Sequence, residues 1–363
     1  MQKFSDTHGK SWKSVLQASS DALAVEKRIQ ESLLQEVGRF GSADTDVVVF
    51  GSLARREWRS GSDVDWTLLI DGQAMPEHRL EAQKIAAALR KTKFRGVSLP
   101  EPGSSGIFGN LAFSHDIIHH IGGQPDSNKN TTQRILLLLE SARIRSTANS
   151  EMIGAYERVI NNVLARYLYD DTNFLAPGET GSRIPRFLLN DIVRYWRTMC
   201  VDFACKEWEQ QGGKWALRNI KLRMSRKLLF VSGLLTAFSC FRNSDIESEC
   251  DPSNPEPYVA EMQRHLEKYA FLTPLEILVL QFRRVSLDQQ AIGLLDIYDR
   301  FLEQLDNPET RAHLNSLPPR QVYEDNVFLS LRDLSHQFQD VLTQSFFVED
   351  TPLREFNVKY GVF

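Results

Sequence analysis

The sequence predicts an α/β domain at the front, a small mixed sheet with helices, followed by an all-α helical domain. Three observations predict it. A strand–turn–strand signature runs from Asp46 to Ile70, DVVVFGSLARREWRSGSDVDWTLLI. Amphipathic helical segments flank that signature on both sides. From Asn149 onward the pattern is almost wholly helical. A chain of 363 residues has room for two or three domains. The change of pattern places them at 1–148 and 149–363.

Within the signature, Val47-Val48-Val49-Phe50 is a short apolar run, the mark of a buried strand. Gly51-Ser52 end it, and Leu53 to Trp58 suit a short helix. Arg59 to Ser62 make a turn into a second strand, Asp63 to Ile70. Strand side chains alternate faces, so Asp63 and Asp65 project the same way, just beyond Gly51-Ser52. Two adjacent carboxylates repel unless a cation lies between them, and hard oxygen ligands suit Mg²⁺. A Gly-Ser turn at a helix start offers N–H groups and a hydroxyl to phosphate. The combination points to metal-assisted attack on a nucleoside triphosphate.

Gly-Ser, ten residues (Leu53 to Ser62) and then Asp-x-Asp resembles the nucleotidyltransferase superfamily that includes DNA polymerase beta. Within it, the stretch looks closest to the uridylyltransferase of the PII signal protein and the adenylyltransferase of glutamine synthetase. Arg55 and Glu57 match the first group, and Arg56-Glu57 with Gly61-Ser62-Asp63 match the second. The resemblance implies transfer of a nucleoside monophosphate, with Mg²⁺, or Mn²⁺ in its place, held by Asp63 and Asp65. Gly51 and Ser52 would hold the β- and γ-phosphates. Arg55 would brace the loop through Glu57 or an aspartate. Superfamily members add a third carboxylate. Glu101 and Asp116 are the available residues, with Glu101 preferred as the third catalytic group. Without either, the protein would be a nucleotide sensor of impaired catalysis.

Hydrophobic residues make up 42% and charged residues 25%, ordinary values for a soluble globular protein. A net charge of −4 implies no global attraction to nucleic acid or anionic membrane. Cys200, Cys205, Cys240 and Cys250 form no CxxC pair and no zinc spacing, so they read as reduced thiols. The opening MQKFSDTHGKSWKS lacks a signal-peptide core, and no apolar run approaches a membrane span. A cytoplasmic location is the expectation.

Residues 11–38 read as an amphipathic helix on Val15, Leu16, Leu23, Ile29, Leu33, Leu34 and Val37, able to pack across the sheet. A helix from Glu77 to Thr92 follows, with Leu80, Ile85 and Leu89 as its seam, and then a third strand, 94–99. Pro100 to Gly106 is a loop by composition. Asp116 to Ile121 suits strand or helix, and a strand would point His119 and His120 opposite ways. Thr131-Thr132 can cap a buried helix, Gln133 to Ser146. Further helices are expected over 150–170, 185–208, 214–241, 275–284, 287–306 and 324–345, with a docking tail from Phe346.

The helix 214–241 carries an unusual basic face. Lys214, Arg218, Lys221 and Ser225 fall at helical spacing, with Arg223, Arg226 and Lys227 beside them. Such a face wants anions, either Asp191 or a triphosphate. Lys221 and Arg226 are the expected triphosphate contacts, across a cleft from Asp63 and Asp65. The acceptor expected from the resemblance is a protein hydroxyl. An RNA end and a nucleotide second messenger are the alternatives.

Overall fold

The computed structural model describes residues 2–100, 110–146, 153–170, 184–209, 213–241, 246, 254, 256–348 and 350–361. The chain divides into two compact units. One holds Ala18–Arg183 and Arg242–Thr273; the other holds Met1–Gln17, Ile184–Phe241 and Pro274–Phe363. No helix among the described residues is long and apolar enough to cross a membrane.

The chain opens with α1 (Gln2–His8) and α2 (Lys13–Glu36). The sheet-bearing unit then has β1 (Thr45–Phe50), α3 (Gly51–Ala54), β2 (Trp66–Ile70) and α4 (Pro76–Lys91). Next come β3 (Lys93–Phe94), β4 (Val97–Ser98), β5 (Asn110–Phe113), α5 (Ser114–Ile118), α6 (Asn128–Leu139), β6 (Ser141–Ile144) and α7 (Ala155–Asp170). The main sheet has the order β5-β2-β1-β6. β1 is antiparallel to β2 and to β6, while β5 runs parallel to β2. The sheet is therefore mixed, as the sequence predicts.

Strand alternation divides the sheet's residues between two layers. Val47, Val49, Trp66, Leu68 and Ile70 share a core with Ala22, Val25, Ile29 and Leu33 of α2 and Ala82, Ile85, Ala88 and Leu89 of α4. Phe50, Thr67 and Leu69 face Ile117 of α5 and Leu137 of α6 around a small enclosed gap. On α2 the buried stripe is Ala18, Ala22, Val25, Ile29, Leu33, while Leu23 and Leu34 are exposed. Alanine thus serves as a core residue where larger side chains were expected. Leu80 is exposed too, because five residues of helix turn it about 140° from Ile85.

Three local readings are corrected. The strand expected over 94–99 is a tight hairpin of β3 and β4. Arg95 and Gly96 take φ of 49° and 81°, the left-handed pair that two-residue hairpins use. The helix expected over 133–146 starts earlier, capped by Ser127, whose side chain accepts from Asn130 N. It ends at Leu139, and Ser141–Ile144 becomes β6 on the edge of the sheet. The helix expected over 150–170 starts at Ala155, and Ile153, exposed, precedes it.

The other unit is helical. It contains α8 (Arg186–Glu209), α9 (Trp215–Lys221) and α10 (Lys227–Phe238). α11 (Glu256–Ala270) belongs to the sheet-bearing unit, where it packs on α7. The helical unit resumes with α12 (Pro274–Arg284), α13 (Asp288–Asp306), α14 (Pro308–Ser316), α15 (Asn326–Thr343) and α16 (Pro352–Phe356). Trp196 of α8 stacks on Phe230 of α10 at 5.1 Å. The tail docks within this unit, with Phe356 4.0 Å from Phe241. Between α9 and α10 the backbone forms a π-helical turn, Leu222–Arg226. That turn breaks the even spacing assumed for the basic face, and Ser225 is buried.

Candidate functional site

β1 carries the chain to Gly51, and the turn that follows is fixed by its own hydrogen bonds. Phe50 N donates to Asp65 O at 2.9 Å, so pairing of β1 with β2 continues one step before Trp66. Gly51 has φ of +70°, a conformation that costs other residues about 1–2 kcal/mol. A Cβ at Gly51 would lie 2.9 Å from Asp65 Oδ2. The turn and the carboxylate are thus in direct apposition. Arg55 N donates to Gly51 O at 3.0 Å and Glu57 N to Ser52 O at 2.8 Å.

The second strand begins at Trp66, three residues later than expected. Asp63 to Asp65 nonetheless keep alternating burial: Asp63 is exposed, Val64 is buried and Asp65 is half-buried. Val64 N donates to Pro100 O at 3.1 Å, which brings the chain leading to residue 101 beside the aspartates. Glu101 itself lies outside the described residues. Asp116 does not share this place. β5 runs parallel to β2, with Phe113 opposite Ile70. Asp116 follows Phe113, beyond the end of the sheet opposite to Asp65. It is 57% exposed.

Arg55 braces the turn as expected, and with an additional partner. Its Nε donates to Glu57 Oε2 at 2.9 Å, and its Nη1 donates to Glu140 Oε2. Glu140 caps the C-terminus of α6 and was not singled out from sequence. The available cue was a lone acid closing the apolar run Ile135–Leu139, since a buried carboxylate needs a partner. Arg56, at φ 61°, pairs with Glu26 of α2 at 2.8 Å. Burial pushes the Glu26 carboxyl above its ordinary value, with Arg56 opposing the shift.

Residues 28–94 match the family model of the nucleotidyltransferase domain. The match takes in the C-terminal part of α2, then β1, the Gly51 turn, Asp63, Asp65, β2 and α4. No curated protein and no solved structure matches the chain.

Among the described residues, no group of three or more His, Cys, Asp or Glu could hold a metal. Asp63 and Asp65 still suit Mg²⁺, which is commonly bound through one or two carboxylates plus substrate phosphates. The bare Cα of Gly51 leaves the space beside Asp65 Oδ2 that a Cβ would fill. His115, His119 and His120 cluster at the end of α5, with rings 4.9 and 5.5 Å from His115; the end of a helix, not a strand, sets their directions. Lys221 and Arg226 are half-buried at the π turn of the helical unit.

Proposed function

We propose that the protein is a Mg²⁺-dependent nucleotidyltransferase that moves a nucleoside monophosphate from a triphosphate to a protein hydroxyl. The observation that carries the reading is the apposition of Gly51 and Asp65, with Asp63 beside them in an alternating segment. The acceptor oxygen attacks the α-phosphorus. The bond to the β-phosphate oxygen breaks, pyrophosphate leaves, and the hydroxyl proton goes to solvent. Gly51 and Ser52 bind the β- and γ-phosphates through the backbone and the Ser52 hydroxyl. Asp63 and Asp65 would hold the metal, which neutralises phosphate charge when bound. Glu101 is assigned as the third catalytic carboxylate, and Lys221 and Arg226 as cations for the triphosphate. The protein acceptor rests on the resemblance to protein-modifying members carried by Arg55, Glu57 and Gly61-Ser62-Asp63.

Incubation of the purified protein with Mg²⁺, each labelled triphosphate and cell extract tests this directly. Label is expected in the protein fraction. Label in RNA or in small molecules would replace the acceptor. Asp63→Ala with Asp65→Ala is expected to abolish transfer with the fold intact, since neither side chain is buried. Full labelling by that double variant would overturn the site.

A further inference from the structure

We infer that Glu140 is a positioning residue for the phosphate-binding turn, acting through Arg55. The inference rests on the nucleotidyl-transfer reading. β6 runs antiparallel to β1, with Ser141 opposite Phe50. The pairing ends there, and Gly51 and Glu140 are the next residues along the two chains. Asp65 flanks Gly51 from the β2 side. Gly51 therefore lies against Asp65 on one side and directly follows the strand end that pairs with β6 on the other.

The link closes as a ring of hydrogen bonds. Gly51 O accepts from Arg55 N, and Ser52 O accepts from Glu57 N. The Arg55 guanidinium then ties Glu57 to Glu140 through two different nitrogens. Arg55, Glu57 and Glu140 are 6%, 3% and 2% exposed. A guanidinium is a planar fork of fixed geometry. Its two carboxylate partners therefore fix the orientation of Arg55, and through its backbone the height of Gly51 against Asp65. Productive phosphoryl geometry is demanding, and a misplacement of about 1 Å can cost on the order of 100-fold in rate.

Three variants test the inference: Glu140→Gln, Glu140→Asp, and the combination Arg55→Met with Glu57→Gln and Glu140→Leu. The combination removes the ring while filling its volume, a replacement that buried ion pairs commonly tolerate. Thermal unfolding, triphosphate binding by calorimetry, and kcat and KM for transfer are measured on each. Glu140→Gln and the combination are expected to unfold cooperatively, with kcat lowered about 10- to 100-fold. Glu140→Asp, which keeps the charge, is expected to recover part of that loss. A folded combination variant with kcat within about twofold of the parent would overturn the inference and leave nucleotidyl transfer standing. So would loss of folding in both Glu140→Gln and the combination, since the ring would then be a folding element. A parent protein that binds no triphosphate and transfers nothing would remove the nucleotidyl-transfer reading, and this inference with it.

Discussion

Gly51 and Asp65 occupy one space: a Cβ on the glycine would meet the carboxylate oxygen at 2.9 Å. Gly51→Ala must therefore shift Asp65 or the turn, and must also hold alanine at φ +70°. The backbone cost alone is about 1–2 kcal/mol. Transfer is expected to fall further than that loss of stability explains, because the displaced group is the carboxylate proposed to hold the metal. Thermal unfolding and turnover on the same preparation check this. Wild-type turnover in a folded Gly51→Ala protein would show that the apposition is dispensable.

Glu26 gives a pH test. Its carboxyl is raised above 4.5, first by burial, with Arg56 opposing. A raised carboxyl binds its proton more tightly in the folded protein than in the unfolded chain. Its contribution is present below the unfolded value and is lost as pH rises through the folded one. The stability of the parent relative to Glu26→Gln is expected to decline as pH climbs from about 4 toward neutrality. Thermal midpoints of both proteins across that range decide it, and a relative gain by the parent with rising pH would reverse the sign.

The β1–Gly51–β2 end of the sheet was legible because its signals are local. An apolar run, a glycine that must turn, and two aspartates at spacing two all lie within Val47 to Asp65. Glu140 was not legible because its partner Arg55 lies 85 residues earlier. β6 was read as the end of a helix because its four residues gain their strand geometry from β1. The π turn was hidden because Leu222–Arg226 has the composition of the α-helices around it. The hairpin at Arg95-Gly96 was missed although Gly96 is a turn residue, because Arg95 enters the left-handed region without being glycine.

Lys221 and Arg226 carry a prediction from charge. A Lys or Arg contact to phosphate is a charge-assisted hydrogen bond, stronger than a neutral one. Removing one is expected to cost about 1.5–3 kcal/mol of triphosphate affinity, roughly ten- to a hundredfold. Calorimetric titration of Lys221→Ala and Arg226→Ala with a non-hydrolysable triphosphate measures it. An unchanged dissociation constant in both would assign these side chains to the structure of the π turn alone.

Strand direction sets Asp116 apart from Asp63 and Asp65. β2 leaves the aspartates and runs toward Ile70, and β5 runs alongside it in the same sense, ending with Phe113 opposite Ile70. A residue beyond Phe113 is therefore carried away from Asp63 and Asp65. Pro100 has the opposite placement, because its O accepts from Val64 N between the two aspartates. Asp116→Asn is expected to leave turnover within about twofold, since its carboxylate is exposed and lies 4.0 Å from His120 in a surface contact. Glu101→Gln is expected to lower turnover by orders of magnitude while leaving thermal stability near that of the parent. Turnover and unfolding of the two variants side by side provide the measurement. Loss of activity in Asp116→Asn with Glu101→Gln unaffected would contradict the strand-direction argument and move the third carboxylate to the other end of the sheet.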